Sequence, residues 1–511
     1  MLPLVTSITE NSGYFLLGTH TAIGADDPAT QPAARLLASY LQTALGAAPP
    51  IRDAGSIVLE LGSTGSENPE AYRLTVVPDR VTLRAPRPDG LLRAIQSLRH
   101  MLPAEALRPA SGSRDWKLNA VDITDEPDLA WRGVMLDVAR HFFDKAEILR
   151  LLDLIAFHQL NVLHLHLTDD QGWRVPIDPY PRLIEVGSVR RAAHEGEPGI
   201  PPGRASGPAH RGAYSHADLA EIVAFAAERG ILVVPEIDMP GHVQAAVAAY
   251  PELGIDPAPV PEVWPRWGIN DLLLNPTDTV AEFFENVLAE LMRIFPSPYI
   301  HIGGDECPTD RWAQDPQIVT RAAALGLADV SRLHGWFMGR MARFVKARGR
   351  IPVGWDELAG ADPGTVVMAW NTGAGIAVRA AEAGHPVVLA PSDRVYFDLY
   401  QSPSGEPRAQ KGVITLADAY SFDPRAGRWG ADLRDSVLGA QCQLWTEYVS
   451  DRDQLDYMLF PRLCAFAERA WSGGAADFDA FQTRLLPHLE RLEALGVAFR
   501  LLDGAEPQTG K

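Results

Sequence analysis

Residues 131–167 read WRGVMLDVARHFFDKAEILRLLDLIAFHQLNVLHLHL. An apolar run, Gly133–Val138, gives way to the polar pair Arg140-His141, and a second apolar run follows at Val162–Leu167. Between them, Asp144 with Glu147 three residues on has the spacing of a capping box, and Ile148, Leu151, Leu152 and Ile155 recur on one helical face. Near-continuous apolar strands need cover on both faces, so the stretch predicts one strand–helix–strand unit of a parallel sheet.

Reading onward, the same pattern recurs. Further apolar runs fall at Ile231–Ile237, Tyr299–Ile302, Ile351–Gly354, Val366–Ala369, Pro386–Leu389 and Val437–Leu444, which brings the candidate strands to eight. Ser215 with Asp218 opens another helix, with Leu219, Ile222, Val223 and Ala226 on its inner face and Gly230 placed to end it. A third helix runs from about Thr277 to Phe295 and stops at Pro296. Eight such repeats predict an α/β fold, a closed (β/α)8 TIM barrel, with a doubly wound open sheet as the alternative.

Reading backward, residues 1–128 have a different texture. A helical stretch near Pro32–Leu45, short β-like runs at Ile57–Leu61, Tyr72–Val77 and Arg80–Leu83, and a second helical run at Gly90–Leu102 predict a small α+β domain. Pro103–Asp115 reads as a loop near its end. The expected organisation is therefore an N-terminal α+β domain over 1–128, a barrel over 129–475, and a helical extension over 476–511 with a helix around Asp477–Leu495. Ser188–His216 and Gln401–Arg434 break the repeat and are expected to be irregular excursions near the barrel mouth.

Composition narrows the function classes. The 511 residues are 46% hydrophobic and 22% charged, a globular balance. Lys plus Arg number 46 against 65 Asp plus Glu, a net charge of −19 that would repel a phosphate backbone, so nucleic acid is not expected as a partner. Cys307, Cys442 and Cys464 are odd in number and widely spaced, which draws neither a disulfide framework nor a zinc motif. The N-terminal MLPLVTSITENSG has no basic n-region or sustained apolar core, and no apolar run approaches a membrane span. A cytoplasmic protein without membrane contact is the expectation.

In a (β/α)8 barrel the chemistry sits at the carboxyl ends of the strands. The residues there are Arg140-His141, Asp169-Asp170, Glu236-Ile237-Asp238, Asp305-Glu306, Trp355-Asp356, Trp370-Asn371, Tyr396 with Asp398, and Trp445 with Glu447. Each has an ordinary structural reading: Asp356 as a helix N-cap, Asp238 as scaffold in PEIDMPGH, His242 as a satisfied loop histidine, and the three tryptophans as rim packing. Their convergence on one mouth is what favours a site. Indole walls facing carboxylates suit a sugar ring, whose C–H faces stack while its hydroxyls need charged partners.

The sharpest feature is HIGGDE, residues 301–306. Its two glycines let the backbone bend at the strand end, and the adjacent acids can then occupy different environments. Neighbouring carboxylates raise the proton affinity of whichever is drier, which is how a glutamic acid serves as a general acid near neutral pH. A divalent metal could also use acids at a strand end, but no HxxxH or similar pair accompanies them, so neither a metal nor a cofactor is expected.

The ordered segments RGVMLDVARHF (132–142), HLHLTDDQGWR (164–174), PEIDMPGH (235–242), HIGGDE (301–306) and LWTEY (444–448) resemble the β-N-acetylhexosaminidases of glycoside hydrolase family 20, and the α+β domain resembles the small domain that precedes the barrel there. That resemblance implies a retaining mechanism in which the substrate's own 2-acetamido oxygen attacks the anomeric carbon, an exception to the two-carboxylate scheme. It implies that Glu306 is the acid/base, that Asp305 holds the acetamide N–H, and that Tyr396 donates to the acetamide oxygen. By the same resemblance Arg140, Asp398 and Glu447 bind sugar hydroxyls, Trp355, Trp370 and Trp445 wall the acetamide pocket, and Asp169 with His242 supports the acid/base.

One departure stands out. Some relatives carry a further tryptophan after the YxD element, whereas Arg408-Ala409-Gln410-Lys411-Gly412 has none, which opens the leaving-group side and weakens the expectation of chitin-type oligomers. The implied substrate is a small glycoside or oligosaccharide ending in β-linked GlcNAc, with GalNAc as the further candidate. A disaccharide-releasing, lacto-N-biosidase-like enzyme and an inactive carbohydrate-binding barrel are the competing readings. Retention of Arg140 and Glu447 argues against the first, and the presence of both Asp305 and Glu306 against the second.

Overall fold

A computed structural model describes the chain apart from residues 109–113, 192–208, 256–261, 359–361, 373–374, 426–430, 475 and 504–511. Eight parallel strands close into a barrel: Trp131–Asp137, Val162–His166, Leu232–Glu236, Tyr299–His301, Ile351–Trp355, Val366–Ala369, Val387–Leu389 and Val437–Leu444. Each coincides with one of the apolar runs, and the last pairs with the first from Gly439 opposite Trp131 to Leu444 opposite Leu136. The open doubly wound sheet is thereby excluded.

The helices begin where their caps lie. Ser215 and Asp218 form a complete capping box at the start of His216–Glu228, and Thr277 caps Asp278–Ile294. At Lys145–Phe157 only half of the expected box forms: Asp144 accepts the Glu147 N–H, while the Glu147 carboxylate turns away to the Arg452 guanidinium. A full charge is a stronger partner for that carboxylate than a backbone amide.

The N-terminal part is a seven-stranded sheet backed by the helices Gln31–Leu45 and Pro88–Met101. Four of its strands have no counterpart among the expected runs: the short Ile23–Gly24 and Ile51–Arg52, and the long Ser7–Leu17 and Trp116–Asp125. Of the long pair, the first is an edge strand with eight exposed residues in a row, so it carries no hydrophobic alternation to detect. In the second, Trp116, Leu118 and Ala120 alternate with exposed neighbours, a pattern that is present in the sequence.

This sheet docks at the strand starts, opposite the chemistry-bearing end. Glu70 accepts from Arg93 Nε at 2.8 Å and from Arg132 Nη2 at 2.6 Å, and both guanidiniums are buried. Arg93 and Arg132 then donate to the carbonyls of Gly230 and Gln159, just before the third and second barrel strands. Burial works to raise the Glu70 proton affinity, but the two arginines outweigh it and hold the carboxyl near about 2. The helix Phe478–Ala494 packs Phe481, Leu485 and Leu492 into the barrel's core cluster and Ala494 into that of the N-terminal sheet.

Residues 192–208 of the Ser188–His216 excursion lie outside the described residues, but its ends pair as a short ladder, Val189 opposite Arg211 and Arg190 opposite His210. Between Gln401 and Arg434 the chain forms a strand, Gln410–Val413, and a helix, Leu416–Ser421, with 426–430 outside the description. Among the described residues no helix is long and apolar enough to cross a membrane.

Candidate active site

A cavity of about 460 Å³ opens at the carboxyl ends of the barrel strands. Its walls carry ten of the eleven residues to which the family resemblance gives a role: Arg140, Asp169, His242, Asp305, Glu306, Trp370, Tyr396, Asp398, Trp445 and Glu447. Trp355 is the exception. It is 1% exposed and is not among the lining residues; its indole N–H is spent on Glu236 Oε1 at 2.9 Å, and its ring packs 5.9 Å from that of Trp445. A strand residue pointing to the barrel axis is interior packing, so Trp355 supports the wall rather than forming its surface.

The two acids owe their placement to the turn before them. Gly303 and Gly304 have φ of +66° and +109°, and Glu306 itself sits at +48°, a conformation uncommon for a residue with a side chain. Asp238 secures the turn from the end of the third strand: its Oδ1 accepts the Gly304 N–H at 3.1 Å, and its own N–H reaches Thr168 Oγ1. A Cβ on Gly303 would lie 1.8 Å from Asp238 Oδ1, so only glycine lets the two chains approach this closely. The outcome is a split pair, with Asp305 8% exposed at the cavity wall and Glu306 one-third exposed.

Asp305 Oδ1 is buried with no hydrogen-bond partner among the described residues. Burial first, and then the negative charges of Asp238 and Glu306, raise its proton affinity well above the usual carboxylate range. Asp238 is pushed up to about 7, chiefly by burial. Glu306 is held differently: His242 Nε2 lies 3.3 Å from its Oε2, and His242 Nδ1 faces Asp169 at 3.3 Å and Asp170 at 3.2 Å. Burial disfavours a charged His242, but Asp169 and its hydrogen bonds outweigh that and raise its proton affinity well above the ordinary imidazole value. The sequence-predicted pairing of Asp169 with His242 is present, extended by Asp170.

Arg140 is pinned on three sides. Its Nε donates to Gln171 Oε1 at 2.9 Å, its Nη2 lies 2.9 Å from Asp169 Oδ2, and its Nη1 lies 3.3 Å from Asp137 Oδ2. Its guanidinium also stands 5.0 Å over the Trp445 ring. Tyr396 reaches the cavity because its backbone bridges to Gln443 of the last strand. The buried Arg462 donates to the carbonyls of Phe397 and Leu399, one on each side of Asp398. Asp398 Oδ1 is also without a hydrogen-bond partner among the described residues, and burial followed by the charge of Glu447 raises its proton affinity well above normal. Trp370 stacks on Tyr396 at 6.3 Å, and Tyr396 lies 6.4 Å from Trp445, so three aromatic rings form one wall.

Several residues with a part in the site went unassigned in the sequence. Asp356 is no ordinary helix cap: its carboxylate accepts the N–H groups of Trp370 and Asn371 and ties the fifth strand end to the sixth. Gly268, Ile269, Ser392, Leu399, Gln410 and Lys411 also line the cavity. Beneath it, the buried His164, His166 and His301 surround Glu236. A signal for this cluster existed, since the alternation of His and Leu in HLHL (164–167) places two imidazoles on the face of the strand that looks inward.

Comparison with known proteins agrees with this geometry. The family description "Glycosyl hydrolase family 20, catalytic domain" matches residues 129–474, and "Glycosyl hydrolase family 20, domain 2" matches residues 1–126. A Beta-hexosaminidase of Porphyromonas gingivalis is 34% identical over 98% of this chain, which spans 64% of that protein's length. A Beta-N-acetylhexosaminidase of Cellulomonas fimi is 36% identical over 84% of this chain and 79% of its own. Among solved structures, the GH20 beta-N-acetylhexosaminidase of Streptomyces coelicolor superimposes with a TM-score of 0.85 at 34% identity, covering 98% of this chain and 97% of that one. The GH20 exo beta-N-acetylglucosaminidase of Vibrio harveyi, solved in complex with N-acetylglucosamine, gives 0.87 at 30% identity over 98% and 78%. The chain therefore belongs to glycosyl hydrolase family 20, as a glycoside hydrolase of the β-N-acetylhexosaminidase type.

Proposed function

We propose that the enzyme is an exo-acting, retaining β-N-acetylhexosaminidase that removes terminal β-linked GlcNAc, and GalNAc as a second substrate, with the substrate's acetamide as nucleophile. The observation that carries this reading is the buried Oδ1 of Asp305, unpartnered among the described residues, on the cavity wall beside the one-third-exposed Glu306. An orphaned buried carboxylate oxygen is costly unless a ligand satisfies it. An acetamide N–H does so, and the positive charge that develops on it as the oxazolinium forms gives the ionised Asp305 its counter-charge.

In this mechanism Glu306 gives its proton to the leaving oxygen while the acetamide oxygen closes on the anomeric carbon. Glu306, now a carboxylate, then takes a proton from the water that opens the ring, which restores the starting configuration. The imidazolium of His242 faces Glu306 throughout and stabilises its charged state. The Tyr396 hydroxyl directs the acetamide oxygen. The orphaned Asp398 Oδ1, together with Glu447 and the Arg140 fork, is matched to the sugar hydroxyls and would stop a longer chain from passing through. Trp370 and Trp445 supply the stacking faces.

Aryl β-glycosides of N-acetyl and N-trifluoroacetyl glucosamine separate this route from direct attack by a carboxylate. Electron withdrawal weakens the amide oxygen, so the fluorinated substrate should turn over at least ~100-fold more slowly; equal rates would remove the acetamide from the mechanism. Glu306→Gln should suppress hydrolysis of an unactivated leaving group while product inhibition by GlcNAc is retained.

A further inference from the structure

The contacts of Glu306 do not stop at His242. His242 meets Asp169 Oδ1, and Asp169 Oδ2 lies 2.8 Å from His166 Nε2. The opposite ring nitrogen, His166 Nδ1, lies 2.5 Å from Glu236 Oε2. Five ionisable side chains thus run in unbroken contact from the barrel interior to the cavity, and all except Glu306 are fully buried. Both nitrogens of His166 face carboxylate oxygens, and an imidazole satisfies two such acceptors only when both nitrogens carry protons.

Glu236 needs that charge. It is fully buried and contacts three imidazoles: His166, His164 at 3.0 Å and His301 at 2.8 Å. Burial and the neighbouring His301 push His164 down to about 4, which leaves it neutral at working pH. Burial also opposes a charged His166, but Glu236 and Asp169 outweigh it and raise its proton affinity well above normal. The imidazolium therefore sits behind Asp169, on the same carboxylate oxygen that Arg140 contacts.

We infer that His166, held as a buried imidazolium by Glu236, is a positioning residue that acts on Glu306 through Asp169 and His242. The inference rests on the assignment of Glu306 as the acid/base. No proton travels along the chain: in each half-reaction the proton moves only between Glu306 and the leaving or entering oxygen. His166 contributes fixed positive charge and a fixed orientation of Asp169, and Asp169 in turn directs His242 at Glu306 while meeting Arg140, which faces the sugar. The charged and titratable groups that bear on this arrangement are Glu236, His164, Asp238 and Asp169 around His166, Arg140, Asp170 and His242 around Asp169, and Asp305 with His242 around Glu306.

The test is the pH dependence of kcat/KM for a neutral aryl β-GlcNAc glycoside in His166→Gln. Its alkaline limb reports the loss of the proton that the acid must carry. Removing a positive charge strengthens proton binding at Glu306 and His242 alike. The limb should therefore move to higher pH by a 3- to 10-fold change in proton affinity, with KM within about threefold of wild type. A limb that stays in place or moves down, whatever happens to kcat, overturns the inference, because a purely structural loss lowers the rate without moving the limb. If His166→Gln fails to fold, His166→Asn, which likewise carries no charge, is read in the same way and must shift in the same direction. Glu306→Gln in the same assay keeps the two ideas apart: full activity there overturns the acid/base assignment and the role of His166 with it, whereas lost activity there with an unmoved limb in His166→Gln overturns the role of His166 alone.

Discussion

Replacing Gly303 by alanine places a methyl group where Asp238 already stands. The added carbon would lie 1.8 Å from Asp238 Oδ1, 2.4 Å from its Cγ and 2.7 Å from its Cα. Ordinary contact between such atoms needs about 3.5 Å, so even the Cα must retreat by roughly 0.8 Å. Because Asp238 Cα belongs to the backbone, no side-chain rotation can supply it. Residue 303 also sits at φ +66°, which costs an L-residue roughly 1–2 kcal/mol. With about 1–3 kcal/mol for the overpacking, the variant should lose ~2–5 kcal/mol of stability. The larger effect falls on chemistry, since Asp305 and Glu306 leave this turn directly. A displacement of ~1 Å in a reacting group costs on the order of 100-fold in rate, so kcat on an aryl β-GlcNAc glycoside should fall at least that far. Gly349→Ala is the matched control. Its φ is +73° and nothing lies within 4 Å of the new carbon, so it isolates the backbone cost and should leave kcat unchanged. Denaturant unfolding and steady-state kinetics on both variants decide the matter. A folded Gly303→Ala enzyme with kcat within threefold of wild type would refute the claim that this close approach sets the acids.

Two further outcomes follow from buried charge. Glu70→Ala leaves Arg93 and Arg132 buried without their counter-ion, and equilibrium unfolding should show a loss of about 3–5 kcal/mol while KM is unchanged. His158, at the end of Lys145–Phe157, is fully buried, and burial pushes its proton affinity down to about 4. The unfolded chain takes up that proton near pH 6.5, so the stabilisation is complete above about pH 6.5 and is lost as the pH falls towards 4, by roughly 3 kcal/mol per such histidine. His164 behaves alike, so urea midpoints should drop across that window, and His158→Phe should flatten the profile; an unchanged slope would contradict the assignment.

The barrel was legible because its strands, covered on both faces, stand out as apolar runs against polar strand ends. The candidate site was legible for a related reason: at the end of a strand, polar residues such as Asp305 and Glu306 interrupt an otherwise apolar pattern. What stayed hidden depends on direction rather than residue type. Trp355 and Trp370 look equivalent as strand-end tryptophans, yet one points to the axis and is 1% exposed while the other lines the cavity. Glu236 was visible as a strand-end acid, but its three imidazole neighbours come from two other strands, and no local spacing shows that they meet. The Glu147 side chain escaped its expected cap because Arg452, some three hundred positions later, made the better offer of charge.

The clasp of Glu70 by Arg93 and Arg132 fastens the amino-terminal sheet to the foot of the barrel, the end away from the catalytic mouth. A protein arranged this way separates its foundation from its workplace. A barrel cut loose at residue 129 would lose the Glu70 partner of Arg132 and lay bare the seam that Glu70 and Arg93 cover, so this is a poor place to divide the chain for engineering.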